Sequence, residues 1–316
     1  MRFHSSLLST LSALVLILAS STHAADARHV VLDDAWSGAT GYRFSGRLTE
    51  AHVSPDGRKG RAGTFYRNTR LLLTSGEEGL ITWRVNALEW SLRTDDDGYW
   101  ELASNQPLAL TPGWHEITSE PAASSTAGLL VVDPANRFGI ISDLDDTVLV
   151  SGVTDKRTLL KNSLTVPPVR REAVSGMAAL YHRLLKQNPM PDASAVFYVS
   201  ASPRQLTDNL RGFLRQNEFP RGVLRLKEFS EQSDASLFNH NQQGYKLRVL
   251  ESLLLAYPQV SFALFGDDGE QDPEIYEALR EKFPAQIHGI WIRRVNPDPQ
   301  RARFAGQADT AELLAH

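Results

Sequence analysis

The amino-acid sequence predicts an α/β protein in which a small all-β, sandwich-like region precedes a parallel sheet covered by helices. Short alternating strands separated by turns occupy residues 25–135, whereas strands alternate with amphipathic helices over residues 136–316. A chain of 316 residues is long enough for two packed cores. Strands that alternate with helices favour a parallel sheet with its ligand site at the carboxyl ends of the strands.

The first 24 residues predict a signal peptide. Arg2 supplies a positive charge, Leu7–Ala19 is apolar apart from small polar residues, and Thr22–Ala24 places small residues where a signal peptidase cleaves. An uncleaved membrane anchor is the alternative, but the apolar run is shorter than the ~20 residues of a spanning helix. We therefore expect a periplasmic or secreted protein whose mature chain begins at Ala25.

Composition excludes several classes of function. The sequence has no cysteine, which removes disulfides, thiolate metal sites and cysteine nucleophiles. A net charge of −4 without a long basic run gives no reason to expect a nucleic-acid partner.

Strand signals dominate the N-terminal region. Tyr42–Leu48 alternates apolar with polar or small residues, and Ile81–Leu92 is rich in β-forming residues. The acidic stretch 94–98 ends in Asp-Gly and leads into Tyr99–Leu102, so a turn between strands explains it with fewer assumptions than a calcium loop. Pro121–Ala127 is rich in Pro, Ser, Ala and Thr and predicts a loop that leads toward the second region.

The C-terminal region predicts a series of buried strands and amphipathic helices. One helix is expected to begin at Pro203 with Ser202 as its N-cap, and Leu206, Leu210, Phe213 and Leu214 as its buried stripe. The predicted strands are Phe138–Ile141, Ala195–Val199, Val223–Leu226, Val260–Phe265 and Ile287–Ile292.

Three polar groups follow these strands or open the next helix. The stretch Asp143–Thr147 comes directly after the first strand, Ser200 follows the second, and Lys246 opens a later helix. Each has an ordinary alternative, namely a turn, a helix start and a solvated surface charge. Their common position at the carboxyl ends of strands is what favours a shared site.

A fourth polar group is the loop Gly266–Asp272. Three aspartates in one short loop repel one another unless a cation offsets their charge. Oxygen donors without His or Cys favour Mg²⁺ over zinc. Asp272 has an alternative as the N-cap of a helix over Pro273–Phe283, and either Asp268 or Asp272 is expected to support the metal.

In order and position, these four groups resemble the motifs of the haloacid dehalogenase superfamily: DxDx[TV], a Ser or Thr, a Lys, and GDxxxD or GDxxxxD. The similarity spans residues 138–295. The strings Ile141–Thr147, Phe197–Pro203 and Phe265–Tyr276 are similar to the actin-patch type of phosphatidate phosphatase, whose bacterial relatives carry an N-terminal β-domain with a turn like Asp97–Tyr99. The resemblance implies a Rossmann-like, haloacid dehalogenase-like catalytic domain.

The resemblance, together with the electrostatics of phosphoryl transfer, assigns a role to each residue. Asp143 is the expected nucleophile and Asp145 the general acid–base. Mg²⁺ is expected on Asp143, Asp267 and the backbone carbonyl of Asp145, supported by Asp272 or Asp268. Ser200 and Lys246 are expected to hold phosphoryl oxygens, and Thr147 to order the phosphate-binding loop.

Two residues depart from the family pattern. Arg204 stands where the family has an aromatic residue, and Tyr245 where it often has His. Arg204 is either a substrate contact, since a guanidinium can fork onto a phosphate, or a solvent-exposed arginine. The basic segment 151–175 is either a solvated loop or a flap over an anionic headgroup.

The leading functional hypothesis is hydrolysis of phosphatidate to diacylglycerol and phosphate, with peripheral contact to a membrane. A periplasmic phosphomonoesterase for soluble esters is a second hypothesis, and a non-catalytic lipid-phosphate-binding module is a third. Both Asp143 and Asp145 are present, which argues against the third, because binding alone does not need the second carboxylate.

Overall fold

Two sheets form the framework of the molecule. The computed structural model describes residues 28–50, 74–123, 126–150, 171–227, 242–296 and 298–315. The predicted signal peptide and most of the segment 151–175 lie outside these residues. In the part of the chain so described, no helix is long and apolar enough to cross a membrane.

The first sheet contains eight strands in the order β1-β3-β2-β8-β7-β4-β5, with β6 paired to β3. All of its pairings are antiparallel except that of β2 with β8. Its strands are β1 His29–Leu32, β2 Ala35–Gly38, β3 Gly41–Thr49, β4 Leu80–Val85, β5 Leu88–Arg93, β6 Tyr99–Ser104, β7 Gly113–Glu120 and β8 Ala127–Val131.

Turn residues and an aromatic core shape this first sheet. Asn86 has a φ of 52° and divides the predicted run Ile81–Leu92 into two hairpin strands, since asparagine tolerates the left-handed region. Asp95 Oδ1 accepts the backbone N–H groups of Asp97 and Tyr99, so the acidic stretch forms a turn. The core packs around Phe44, Trp83 and Trp100.

The second sheet is parallel throughout and runs in the order β11-β10-β9-β12-β13-β14. Its strands are β9 Phe138–Ser142, β10 Ala195–Pro203, β11 Val223–Lys227, β12 Ser261–Asp267, β13 Ile287–Arg293 and β14 Gln307–Asp309. The helices are α1 Met177–Leu185, α2 Thr207–Gln216, α3 Gln242–Ala256, α4 Asp272–Lys282 and α5 Thr310–Leu314.

Helices cover both faces of this parallel sheet, as the sequence predicts. Ile140 packs with α1 and α2 on one face, while its neighbour Ile141 packs with α3 and α4 on the other. All five residues of β9 are buried because the strand lies near the middle of the sheet. The prediction of a mixed α/β fold with a parallel sheet is confirmed, and the carboxyl ends of β9, β10 and β12 meet at one edge.

The two sheets are in direct contact. Trp36 of β2 packs on Tyr257, which follows α3, with ring centroids 5.6 Å apart. Thr40 Oγ1 donates a hydrogen bond to the Ala256 carbonyl at 3.1 Å. The chain passes from β8 in the first sheet to β9 in the second through residues 132–137.

Candidate active site

Three buried aspartates converge at the carboxyl edge of the parallel sheet. Asp143 follows β9, Asp267 ends β12, and Asp272 begins α4. One carboxylate oxygen from each lies within 4.8 Å of the other two. Their residues are only 3%, 2% and 0% exposed, respectively. Residues of the first polar group, Asp143–Thr147, and of the fourth, Gly266–Asp272, therefore lie close together, as the sequence predicts.

Lys246 is the cation of this cluster. Its Nζ donates to Asp143 Oδ1 at 2.8 Å and also to Asp272 Oδ1. Burial by itself would lower the pKa of Lys246, but the charges of Asp143 and Asp272 overcome burial and raise the pKa well above its usual value. The lysine is therefore a charged, buried member of the site, which excludes the alternative of a solvated surface residue.

One ammonium group does not neutralise three carboxylates. Burial raises the pKa of Asp143 well above its usual range, with Lys246 opposing and the neighbouring carboxylates adding to the rise. Burial and then the charge of Asp272 raise the pKa of Asp267 to about 8. The cluster therefore favours a bound cation, which would hold these carboxylates in their charged form.

The donor set fits a hard divalent metal ion. Asp143, Asp267 and Asp272 offer only carboxylate oxygens, and no nitrogen or sulfur ligand belongs to the group. Among the described residues, Asp267 Oδ2 is shielded from solvent without a hydrogen-bond partner. A buried carboxylate oxygen without a partner is costly, and a metal ion would satisfy it.

Gly266 explains how the acidic loop packs so closely. A Cβ atom at this position would lie 2.5 Å from Asp272 Oδ2 and 2.8 Å from the Tyr276 ring. The backbone N–H of Asp267 donates to Asp272 Oδ2 at 3.4 Å, and that of Gly269 donates to Asp267 Oδ1 at 2.7 Å. Glycine before Asp267 thus lets Asp272 approach the end of β12.

Asp145 lies beside the end of β10. Its Oδ2 accepts hydrogen bonds from Ser200 Oγ and Ser202 Oγ, both at 3.2 Å. Burial and then Glu270 raise the pKa of Asp145, while Arg171 and the two serines oppose the rise. A carboxyl group with a raised pKa is suited to proton transfer near neutral pH.

The N-cap expected at Ser202 and the alternative N-cap at Asp272 are both wrong. Strand β10 continues to Pro203, and α2 begins only at Thr207, so Ser202 binds Asp145 instead of capping a helix. Helix α4 begins at Asp272 itself, preceded by Gln271 at the N-cap position. The carboxylate of Asp272 is directed to Lys246 and Asp267, because the site competes successfully with the helix end for it.

Two further aspartates have structural contacts. Asp268 Oδ1 accepts the backbone N–H groups of Val295 and Asn296 at 2.6 and 2.7 Å, so its carboxylate anchors the segment after β13. The third carboxylate of the acidic group is therefore that of Asp272. Asp146 has a φ of 55°, and its carbonyl accepts from Arg293. Thr147 is buried, and its Oγ1 has no hydrogen-bond partner in the described part of the chain.

Arg204 occupies a position that neither sequence alternative described. Its guanidinium donates to Asp33, in the connection between β1 and β2, and lies 5.3 Å from the Tyr99 ring centroid. Because Arg204 is buried, the interpretation of a solvent-exposed arginine is wrong. Its charge is engaged by Asp33, and a contact with substrate stays a prediction.

Sequence reasoning missed two buried residues, one beside the site and one at the contact between the sheets. Arg171 is buried, and its charge acts on Asp145, whereas the sequence placed it in a solvated loop or a flap. Asp33 was not singled out at all. Neither residue belongs to a motif with a recognisable spacing, so the sequence held no local signal that would have found them.

Comparison with known proteins finds similarity in the region that holds this site. Residues 138–294 match the family profile described as the catalytic domain of phosphatidate phosphatase APP1. The chain is 33% identical over 157 residues to Phosphatidate phosphatase APP1 of Saccharomyces cerevisiae, covering 49% of this chain and 26% of that protein. It is 29% identical over 167 residues to an uncharacterized protein of Schizosaccharomyces pombe, covering 52% and 26%.

Solved structures are more distant. A structure of the Pnkp1/Rnl/Hen1 RNA repair complex aligns with a TM-score of 0.33 and 13% identity, over 57% of this chain and 45% of that one. The curated relatives are matched over about a quarter of their own length. The region 138–294, which contains Asp143, Ser200, Lys246, Asp267 and Asp272, is similar to the catalytic domain of phosphatidate phosphatase APP1.

Proposed function

We propose that this chain is a Mg²⁺-dependent phosphatase that hydrolyses phosphatidate to diacylglycerol and phosphate through a phospho-aspartate on Asp143. The buried cluster of Asp143, Asp267, Asp272 and Lys246 carries the proposal. The family match over the same residues supports the choice of a phosphatidate substrate. Contact with the membrane surface follows from such a substrate.

The reaction has two half-reactions. In the first, a carboxylate oxygen of Asp143 attacks phosphorus, the bond from phosphorus to the glycerol oxygen breaks, and Asp145 donates a proton to that oxygen. In the second, Asp145 takes a proton from water as the water oxygen attacks phosphorus. The bond from phosphorus to Asp143 then breaks, which releases phosphate and restores both carboxyl groups.

Other residues position the phosphate. Lys246 already contacts Asp143, so its ammonium can hold a phosphoryl oxygen beside the nucleophile. The hydroxyl of Ser200 lies beside Asp145 and can donate a hydrogen bond to a second phosphoryl oxygen. The unpartnered hydroxyl of Thr147 is available to order the loop once phosphate is bound.

Asp143, Asp267 and Asp272 would hold Mg²⁺, with the backbone carbonyl of Asp145 as a further ligand. The ion supplies positive charge that offsets the repulsion between nucleophile and phosphate, about 4 kcal/mol for each pair of charges ~4 Å apart.

The domain organisation and location of the chain are part of the proposal. Residues 25–135 form a β-sandwich-like domain, and residues 136–316 form a Rossmann-like domain of the haloacid dehalogenase type. The passage from the first sheet to the second at residues 132–137 supports this division. The N-terminal sequence supports export to the periplasm or beyond.

We expect metal chelation to abolish phosphate release and added Mg²⁺ to restore it, because the carboxylates lose the charge that offsets their repulsion. The assay compares phosphatidate in mixed micelles with glycerol 3-phosphate and p-nitrophenyl phosphate. Higher kcat/KM for phosphatidate supports the proposed substrate, whereas higher values for the soluble esters support the phosphomonoesterase alternative. Absence of all turnover supports a binding module, and activity in excess chelator contradicts the metal site.

The mature protein is expected to begin at Ala25 and to be recovered outside the inner membrane of a bacterial host. Mass spectrometry of the N-terminal peptide after cell fractionation measures both properties. A full-length chain in the membrane fraction would contradict cleavage and support an anchor.

A further inference from the structure

A cleft lies between the two sheets. The cleft has a volume of about 650 Å³, and both parts of the chain contribute to its walls. On one side are residues of β7, β8 and the β1–β2 connection, and on the other are α2 and the segment that leads into β11.

The cleft is separate from the catalytic cluster. Gly222 and Leu224 lie at the amino end of β11, whereas Asp143, Ser200 and Asp267 lie at the carboxyl ends of their strands. Amino and carboxyl ends of parallel strands lie at opposite edges of a sheet. None of the catalytic residues lines the cleft.

Three arginines make the cleft basic within an acidic chain. Arg211 pairs with Asp34 at 3.3 Å and with Asp208 at 3.0 Å, and Arg221 lies 3.9 Å from the centroid of the Trp114 ring. Asp34 and Glu116 are the carboxylates in the lining. Arg215 is exposed one helical turn after Arg211, on the same face of α2. Three guanidinium groups offer more hydrogen-bond donors than the carboxylates of the cleft can accept.

Two donors in the walls lack acceptors. Within the described residues, Arg211 Nη2 and Trp114 Nε1 are shielded from solvent and have no hydrogen-bond partner. An unsatisfied buried donor is costly in a native structure. Both side chains line the cleft, so the oxygens of an anion bound there would lie close to them.

The cleft also has apolar walls. Leu214, Phe219 and Leu224 line it together with the Trp114 ring. We propose that the cleft binds an organic phosphate monoester, with its phosphate on Arg211, Arg215 and Arg221 and its carbon skeleton on these apolar side chains. A phosphate presents three oxygens to three guanidinium groups, whereas a carboxylate presents only two.

The proposed ligand bridges the two sheets and would stabilise their contact. Because it binds the folded arrangement, the melting temperature should rise with ligand concentration. This effect does not depend on turnover at Asp143, so it can be measured without the phosphatase reaction.

The test is calorimetric titration of the full chain with phenyl phosphate in excess chelator, which removes metal from the catalytic site. We expect one binding event that is weakened about tenfold or more by Arg215→Ala and by Arg221→Ala. Arg248→Ala, which removes an exposed helical arginine outside the cleft, is the control and should leave affinity unchanged. Inorganic phosphate and phenol should each bind more weakly than phenyl phosphate.

A vesicle sedimentation assay distinguishes a lipid ligand from a soluble one. Vesicles of phosphatidylcholine with and without phosphatidate are sedimented with the wild type and the same variants. Loss of phosphatidate-dependent sedimentation in the cleft variants supports the site with a lipid ligand, and arginine-dependent binding of phenyl phosphate alone supports it with a soluble ligand. Absence of both, or binding equal in Arg215→Ala, Arg221→Ala and the wild type, overturns the proposal.

Discussion

Replacing Asp143 with asparagine is expected to abolish phosphate release without unfolding the protein. The variant keeps the shape of the side chain but removes the attacking carboxylate. Burial and three neighbouring carboxylates already raise the pKa of Asp143, so loss of its charge relieves repulsion in the metal-free protein. Activity should therefore fall to background while the melting temperature measured in chelator is unchanged or higher.

A matched substitution in the same loop provides the control. Asp146→Asn keeps a residue that tolerates the φ of 55° and retains the carbonyl that accepts from Arg293. We expect near-normal turnover from it, whereas Asp145→Asn should lose about 10²–10⁴-fold because proton transfer is removed. Near-normal turnover in Asp143→Asn would contradict the nucleophilic mechanism.

The second large effect is expected at the contact between the sheets. Arg204 and Asp33 are both buried, and Ser45 Oγ also donates to Asp33 Oδ2 at 2.7 Å. Arg204→Met leaves the Asp33 carboxylate buried without its ion-pair partner, which should cost about 3–5 kcal/mol in the free energy of unfolding. Urea denaturation at neutral pH measures this loss.

The pH dependence has a defined sign. Burial would raise the pKa of Asp33, but Arg204 overcomes burial and lowers the pKa below its usual value of 3.8. In the wild type, the contribution of the pair is present above that value and is lost as the pH falls through the folded-state pKa. In Arg204→Met burial is unopposed by that arginine, so the stability difference should shrink as the pH is lowered.

Two further variants distinguish the effect of losing the Arg204–Asp33 ion pair from the effect of losing any arginine charge. Asp33→Asn combined with Arg204→Met should recover part of the stability, since no buried carboxylate remains unpaired. Arg84→Met removes exposed ion pairs with Glu89 and Glu120 and should leave the urea midpoint nearly unchanged. An Arg204→Met loss no larger than that of Arg84→Met would contradict the role of the buried pair.

Local pattern predicted the parallel sheet well because each strand is a short apolar run between turn signals. The predicted strands at Phe138, Val223 and Ile287 begin at the observed residue and end one residue early. Strand β10 was predicted too short, since Ser-Ala-Ser-Pro is typical of a helix start. Pairing of Pro203 with Lys227 in β11 extends the strand, and local propensity contains no information about that pairing.

The sequence by itself indicated which residues form the buried polar cluster. Asp143, Lys246 and Asp267 could be placed together because parallel topology brings the carboxyl ends of strands to one edge, whatever the separation along the chain. The choice between Asp268 and Asp272 could not be made this way. It depends on which direction each carboxylate takes from the loop, and the tertiary contacts with Val295 and Lys246 decide it.

Only the tertiary structure decided how the first sheet meets the catalytic region. Arg204 and Asp33 are separated by 171 residues, and Arg211 and Asp34 by 177. Neither pair follows a helical or strand period, so no spacing in the sequence marks them. The packing of two separate cores brings these residues together. The spacing of residues along the sequence does not show how the cores pack.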